Sequence, residues 1–155
     1  MTPTIKVKGI KKVSLDLRHL GERVQENARK QMHRSAERIV KEAKINVPED
    51  WGALKEAIHI EKSYGTRNRL QIDIVVGGDQ LYESRHGWVD VQQYAWIIHE
   101  HYEQYEPGKR TKKKMAEYPG RVGSKFLTRA AEDENKKLAN KMVGVINEVV
   151  KEVME

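Results

Sequence analysis

Residues 48–60 read PEDWGALKEAIHI, and in this stretch the chain changes from helix to sheet. Pro48 has no amide proton and disfavours helical backbone at Val47, so a helix arriving from the N-terminal side stops there. Gly52 permits a change of direction. After Leu54 the apolar spacing passes from a period of 3.6 residues to a period of 2.

Upstream, Val13, Leu17, Leu20, Val24, Ala28, Met32, Ala36, Ile39 and Ala43 recur at steps of three or four. That is one helix face, and it predicts a helix over residues 14–46, capped by Ser14 and roughly 50 Å long. Gly21 can bend it. The small residues Ala28, Ala36 and Ala43 leave room for another element to approach closely. Before this helix, residues 4–10 (TIKVKGI) alternate and predict a short edge strand with its lysines outward.

Downstream, residues 57–64 (AIHIEKSY) and 70–76 (LQIDIVV) alternate about a turn at 65–69. They predict an antiparallel hairpin with its apolar face toward the helix. Residues 79–93 show no period and read as an ordered loop or short helix. Residues 94–99 (YAWIIH) fit either a third strand or one helical turn, because periodicity does not decide at this length. Residues 103–123 hold two prolines, three glycines and the run KRTKKK, which predicts a solvated basic loop. Its charges are expected outside, so replacing Lys112, Lys113 and Lys114 is expected to leave stability nearly unchanged.

Ser124 is the expected cap of a last helix reaching Val153. Leu127, Ala131, Glu134, Leu138, Met142, Val145, Val149 and Val153 form its inner line, with Glu134 the lone polar member. A second line, Val143, Ile146 and Val150, makes the apolar face wider than one helix partner needs. It fits a subunit contact or a broad core face. The expected fold is therefore α+β: one domain over residues 1–155, with long N-terminal and C-terminal helices packed on a small antiparallel sheet.

Composition sets the outer bounds. The chain has 155 residues, 34% of them charged, a formal net charge of +6 and no cysteine. Mean hydropathy is −0.78 and the pI is about 9.4. No apolar run is long enough to span a membrane. The opening residues, MTPTIKVKGIKK, carry basic side chains without the apolar centre of a secretory leader. Absence of cysteine excludes disulfides and thiolate metal sites and fits a reducing compartment. The positive charge suits nucleic acid or an acidic protein surface, and equally a lysine-rich coat that keeps the chain soluble.

Catalytic motifs are not evident. His99-Glu100-His101 invites a metal reading, but the zincin spacing needs histidine at position 103, which is Glu103. One histidine that packs and hydrogen-bonds beside another that is solvated accounts for the pair. Glu42-Ala43-Lys44 and Glu134-Asn135-Lys136 have the spelling of a nuclease motif but lie in predicted helices, where such neighbours diverge. Lys109, Arg110, Lys112, Lys113, Lys114 and Arg121 can neutralise phosphates, flanked by Tyr105 and Tyr118 as stacking rings. They are also what a solvated loop contains.

Three pieces stand in order: a helix ending at Val47-Pro48 followed by Gly52-Ala53-Leu54-Lys55 and the strand at Ile58; Tyr94-Ala95 with His99-Glu100; and Lys125-Phe126-Leu127 with Ala130-Ala131. In this the chain resembles small tailed-bacteriophage proteins described as tail components, minor capsid proteins, or neck and tail-completion proteins. Trp51 stands where that family often has Thr, Ala57 where it often has Ser, and residues 79–93 are longer than usual.

The resemblance implies a structural virion protein at the head–tail junction, assembled in the host cytoplasm, with no reaction, cofactor or membrane. It implies a hexameric or dodecameric ring between the connector or adaptor and the tail-terminator or tail-tube proteins, with nonspecific contact to packaged DNA. Pro48, Gly52, Leu54, Tyr94, Ala95, His99, Phe126 and Leu127 are then architectural, with Tyr94 and Phe126 packing the sheet against the last helix. Two rivals stand beside it: a small basic nucleic-acid-binding protein that forms no ring, and a metal-dependent enzyme using His99 and His101.

Overall fold

The first helix, α1, spans Ile10–Asn46 in the computed structural model, which describes residues 10–50, 52–78, 81–84 and 87–155. It runs through Ser14, the expected cap, and through Gly21 without a break. The strand expected over residues 4–10 lies outside the described residues, apart from Ile10, which opens α1. As the proline requires, the helix ends just before Pro48, with the Val47 amide donating to the Ala43 carbonyl at 2.9 Å.

Gly52 turns the chain with φ +78, a conformation that costs other residues about 1–2 kcal/mol. No neighbouring atom lies within 4 Å of where its Cβ would sit, so backbone freedom and not space selects glycine there. Trp51 lies outside the described residues. A short helix not evident from the sequence, α2 (Ala53–Ala57), then buries Leu54 and Ala57.

β1 (Ile58–Tyr64) and β2 (Leu70–Val76) pair antiparallel, with Ile58 opposite Val76 and Tyr64 opposite Leu70. This is the hairpin expected from the alternation, and it lies on α1. Ile58 is buried, while exposure rises along β1 toward Tyr64. The segment read as a loop holds a second small hairpin, β3 (Leu81–Ser84) with β4 (Gly87–Asp90). Tyr82 and Val89 pair on its inner face, leaving Leu81 and Trp88 on the outer one.

Residues read as strand or helical turn form α3 (Val91–His101). The Asp90 carboxylate caps it, accepting from the amides of Gln92 at 2.8 Å and Gln93 at 3.3 Å. The expected basic loop is corrected too: residues 109–117 form α4 (Lys109–Glu117). Lys, Arg, Met, Ala and Glu are good helix formers, and the Pro-Gly pairs at 107–108 and 119–120 bound the helix instead of dissolving it.

The last helix, α5 (Phe126–Met154), runs antiparallel to α1. Ion pairs mark the direction, joining Arg23 to Glu152 and Arg38 to Glu134, and Glu42 pairs with Arg121 just before α5. Ala36 and Ala43 are buried, as their small size allows when a second helix comes close. Ser124 does not cap α5; its hydroxyl donates to Glu103 at 3.0 Å, and Lys125 holds the cap position at φ +55.

The core joins Ile39, Ala43 and Val47 of the α1 end to Leu54, Ile58, Ala95, Ile98 and Phe126. The expected α+β fold holds, with two small hairpins in place of one sheet.

Candidate functional site

The end of α1 organises a polar clamp on α4. The Lys114 ammonium donates to the carbonyls of Lys44 and Val47, both at 2.7 Å, and lies 3.3 Å from Glu49. It therefore satisfies terminal carbonyls of α1 and places positive charge at the negative end of that helix. In return the Asp50 carboxylate accepts from the amides of Gly108 at 3.2 Å and Thr111 at 3.4 Å, capping α4 from 58 residues away. Thr111, fully buried, accepts the Glu49 amide at 3.0 Å. A Cβ on Gly108 would collide with the Asp50 carboxylate, so glycine is required for this close docking.

This placement divides the basic run. Lys114 is buried, and Arg121 pairs with Glu42 and lies 6.0 Å over the Tyr118 ring. Both are engaged within the fold, so the run is not the wholly solvated loop expected from sequence. Lys109, Arg110, Lys112 and Lys113 remain exposed. Arg110 and Lys113 line a groove of about 560 Å³ with Lys41, Lys44 and Lys55, three cations from outside the run. Sequence inspection missed these three because only the fold brings the end of α1 and α2 beside α4.

The residues expected to be architectural fall into two groups. His99 joins α3 to the start of α5. Its ring meets Phe126 edge-on at 5.0 Å, its Nδ1 faces Glu100 at 2.8 Å, and its Nε2 faces the Thr128 hydroxyl at 3.2 Å. The Lys125 amide donates to the His99 carbonyl at 2.7 Å, and Asn46 reaches the Phe126 carbonyl at 3.4 Å. Phe126 is completely buried at this joint, with Ala95 buried and Leu127 packed against the same core. Pro48, Leu54 and Tyr94 instead wall a pocket of about 260 Å³ with Ile98, Tyr102 and Asp50. Burial raises the Tyr94 pKa, and the charge of Asp50 adds to it.

His101 is exposed and meets Trp96 edge-on at 5.4 Å, away from the partners of His99. Among the described residues no group of three or more His, Asp or Glu side chains is placed to hold a metal ion.

The buried Glu134 ties α5 to α1 through Arg38 at 3.2 Å, with Lys141 also bonded to it. Burial would raise its pKa, but hydrogen bonds from Lys141 and Ser35, then the charges of Lys141 and Arg38, outweigh burial and lower it. Glu49 behaves alike: burial opposes, and Lys55 and Lys114 prevail. In the unfolded chain both titrate near about 4.3. Below that value the unfolded chain binds more protons than the folded one, so stability is lost as pH falls toward the lowered folded values. A melting-temperature series should fall as pH drops below about 4.3. Glu134→Gln should make that fall shallower, and a fall of unchanged steepness would remove Glu134 from this account.

On α5 the inner line faces α1, and Val149 is buried. The outer line departs from it: Val143 is 56% exposed, Ile146 is 42% exposed, and Val150 is partly buried. The broad apolar face is therefore not wholly a core face.

A family model described as "Bacteriophage HK97-gp10, putative tail-component" matches residues 11–98, more than half of the chain. The chain belongs to this family of bacteriophage tail components. The match takes in α1, α2, both hairpins and most of α3, and it stops before the basic helix and α5. The first sequence piece and Tyr94-Ala95 of the second fall within it, while His99-Glu100 and Lys125-Phe126-Leu127 lie beyond. No curated protein and no solved structure matches the chain. Among the described residues no helix is long and apolar enough to cross a membrane.

Proposed function

We propose that this chain is a structural subunit of the phage head–tail junction, assembled with copies of itself into a hexameric or dodecameric ring between the connector or adaptor and the tail-terminator or tail-tube proteins. It catalyses no reaction and uses no cofactor. It is assembled in the host cytoplasm and carried in the virion. The family match over the α1–α3 unit carries this reading.

The surface supports it. A head-to-tail ring needs two different patches on each subunit, because the face given is not the face received. Among the exposed apolar side chains are Val143 and Ile146 on α5, and Leu81 and Trp88 on the outer face of the second hairpin. Both suit burial by a neighbouring copy.

Light scattering on the purified chain should give a mass several times the 18.0 kDa monomer. Ile146→Glu should collapse that mass to the monomer while far-UV circular dichroism stays unchanged, because Ile146 lies outside the core. A wild-type monomer that binds DNA with a steep salt dependence would favour the rival, a small basic nucleic-acid-binding protein that forms no ring.

A further inference from the structure

We propose that the groove between the end of α1 and α4 binds the phosphate backbone of duplex DNA. Two walls face one another across it. Lys41 and Lys44 stand three residues apart on α1, Arg110 and Lys113 stand three apart on α4, and Lys55 of α2 adds a fifth cation. On a helix this spacing places both members of each pair on one face.

Elsewhere on α1 and α5 many cations are matched to carboxylates. Lys30 pairs with Glu26, Arg38 and Lys141 with Glu134, and Arg121 with Glu42. In the groove, Lys41, Lys44, Arg110 and Lys113 have no carboxylate within ion-pair distance among the described residues. Of its two carboxylates, Glu49 is already engaged by Lys55 and Lys114, which leaves Glu117 against four unmatched cations. Like charges gathered in a concavity repel one another, and an external polyanion removes that repulsion.

Shape and chemistry select the ligand. At about 560 Å³, with charge on both walls, the groove suits a run of phosphates better than a single anion. Tyr118, the one aromatic ring lining it, is partly buried with the Arg121 guanidinium 6.0 Å from its centroid, so it is a poor platform for an unstacked base. That disfavours single strands, which stack on open rings. Lysine-dominated contact reads phosphate charge and not base sequence. The choice of DNA over an acidic protein rests on the head–tail reading, in which DNA passes the ring.

The test is fluorescence anisotropy of a short labelled duplex titrated with the full chain across roughly 50 to 200 mM salt. Lys41→Ala/Lys44→Ala/Lys113→Ala should lose at least about tenfold in affinity and reduce the salt slope by about 3. A control, Lys62→Ala/Arg69→Ala/Lys137→Ala, removes equal charge from exposed sites outside the groove and should change affinity by less than about twofold. Circular dichroism on both variants checks that they are folded. Equal losses in the two variants would overturn the groove site, as would a wild-type chain that does not bind the duplex. Groove-dependent binding of polyglutamate without binding of DNA would assign the groove to an acidic protein instead. Light scattering on the same samples keeps the two proposals apart: DNA binding by a monomer refutes the ring alone, and a ring indifferent to DNA refutes the groove alone.

Discussion

Phe126→Ala should lower unfolding free energy by about 3–5 kcal/mol, the largest single-residue effect expected in this chain. Phe126 is the only phenylalanine and is completely buried. It stands where three elements meet: α5 begins there, His99 of α3 lies edge-on against it, and Asn46 at the end of α1 bonds to its carbonyl. Truncation leaves a cavity at a joint built from helix ends, where relaxation would break the backbone bond from Lys125 to His99. Urea unfolding followed by circular dichroism measures the change. Phe126→Leu keeps most of the volume and should cost less than half as much. An alanine variant as stable as the wild type would place the joint of α3 and α5 elsewhere.

The second large effect is expected at Lys114, and it reverses the expectation drawn from sequence. Lys114→Ala should cost about 3 kcal/mol, because it strands the carbonyls of Lys44 and Val47 and removes a buried partner of Glu49. Lys112→Ala and Lys113→Ala, one and two residues away, should each stay within about 0.5 kcal/mol. Burial already lowers the Lys114 pKa, and its hydrogen bond and attraction to Glu49 oppose that shift. Lys114→Met keeps the aliphatic stem but restores neither the charge nor the donors, so it should recover little of the loss. Three equally tolerated alanine variants would return the run to the solvated loop that the sequence suggested.

That reversal shows where sequence reading stopped. The stop at Pro48, the turn at Gly52 and the alternation of β1 and β2 are local facts, each set by one residue's backbone or by a short period, and all were legible. The stripe on α1 and the inner line on α5 were legible because long helices repeat their pattern many times. The hairpin of β3 and β4 was not, because its strands have four residues each and show too little of a period. The helix α4 was partly legible: its residues favour helix and its Pro-Gly borders were visible. Its charge concealed it, and its cap, Asp50, lies far upstream in the chain. The same long-range docking put Lys41, Lys44 and Lys55 beside Arg110 and Lys113, a cluster that no window of sequence contains. His99, by contrast, was read from sequence as an architectural residue, and in the structure its ring meets Phe126 edge-on while its Nε2 faces the Thr128 hydroxyl.

The head–tail reading is tested most directly by electron cryomicroscopy of purified phage particles carrying this chain. The account predicts a closed ring of copies at the junction of head and tail, with α5 and the β3–β4 hairpin of adjacent subunits in contact and the basic groove turned toward the DNA path. Density that places the chain along the tail tube as an isolated subunit, or particles whose necks lack it, would contradict the account.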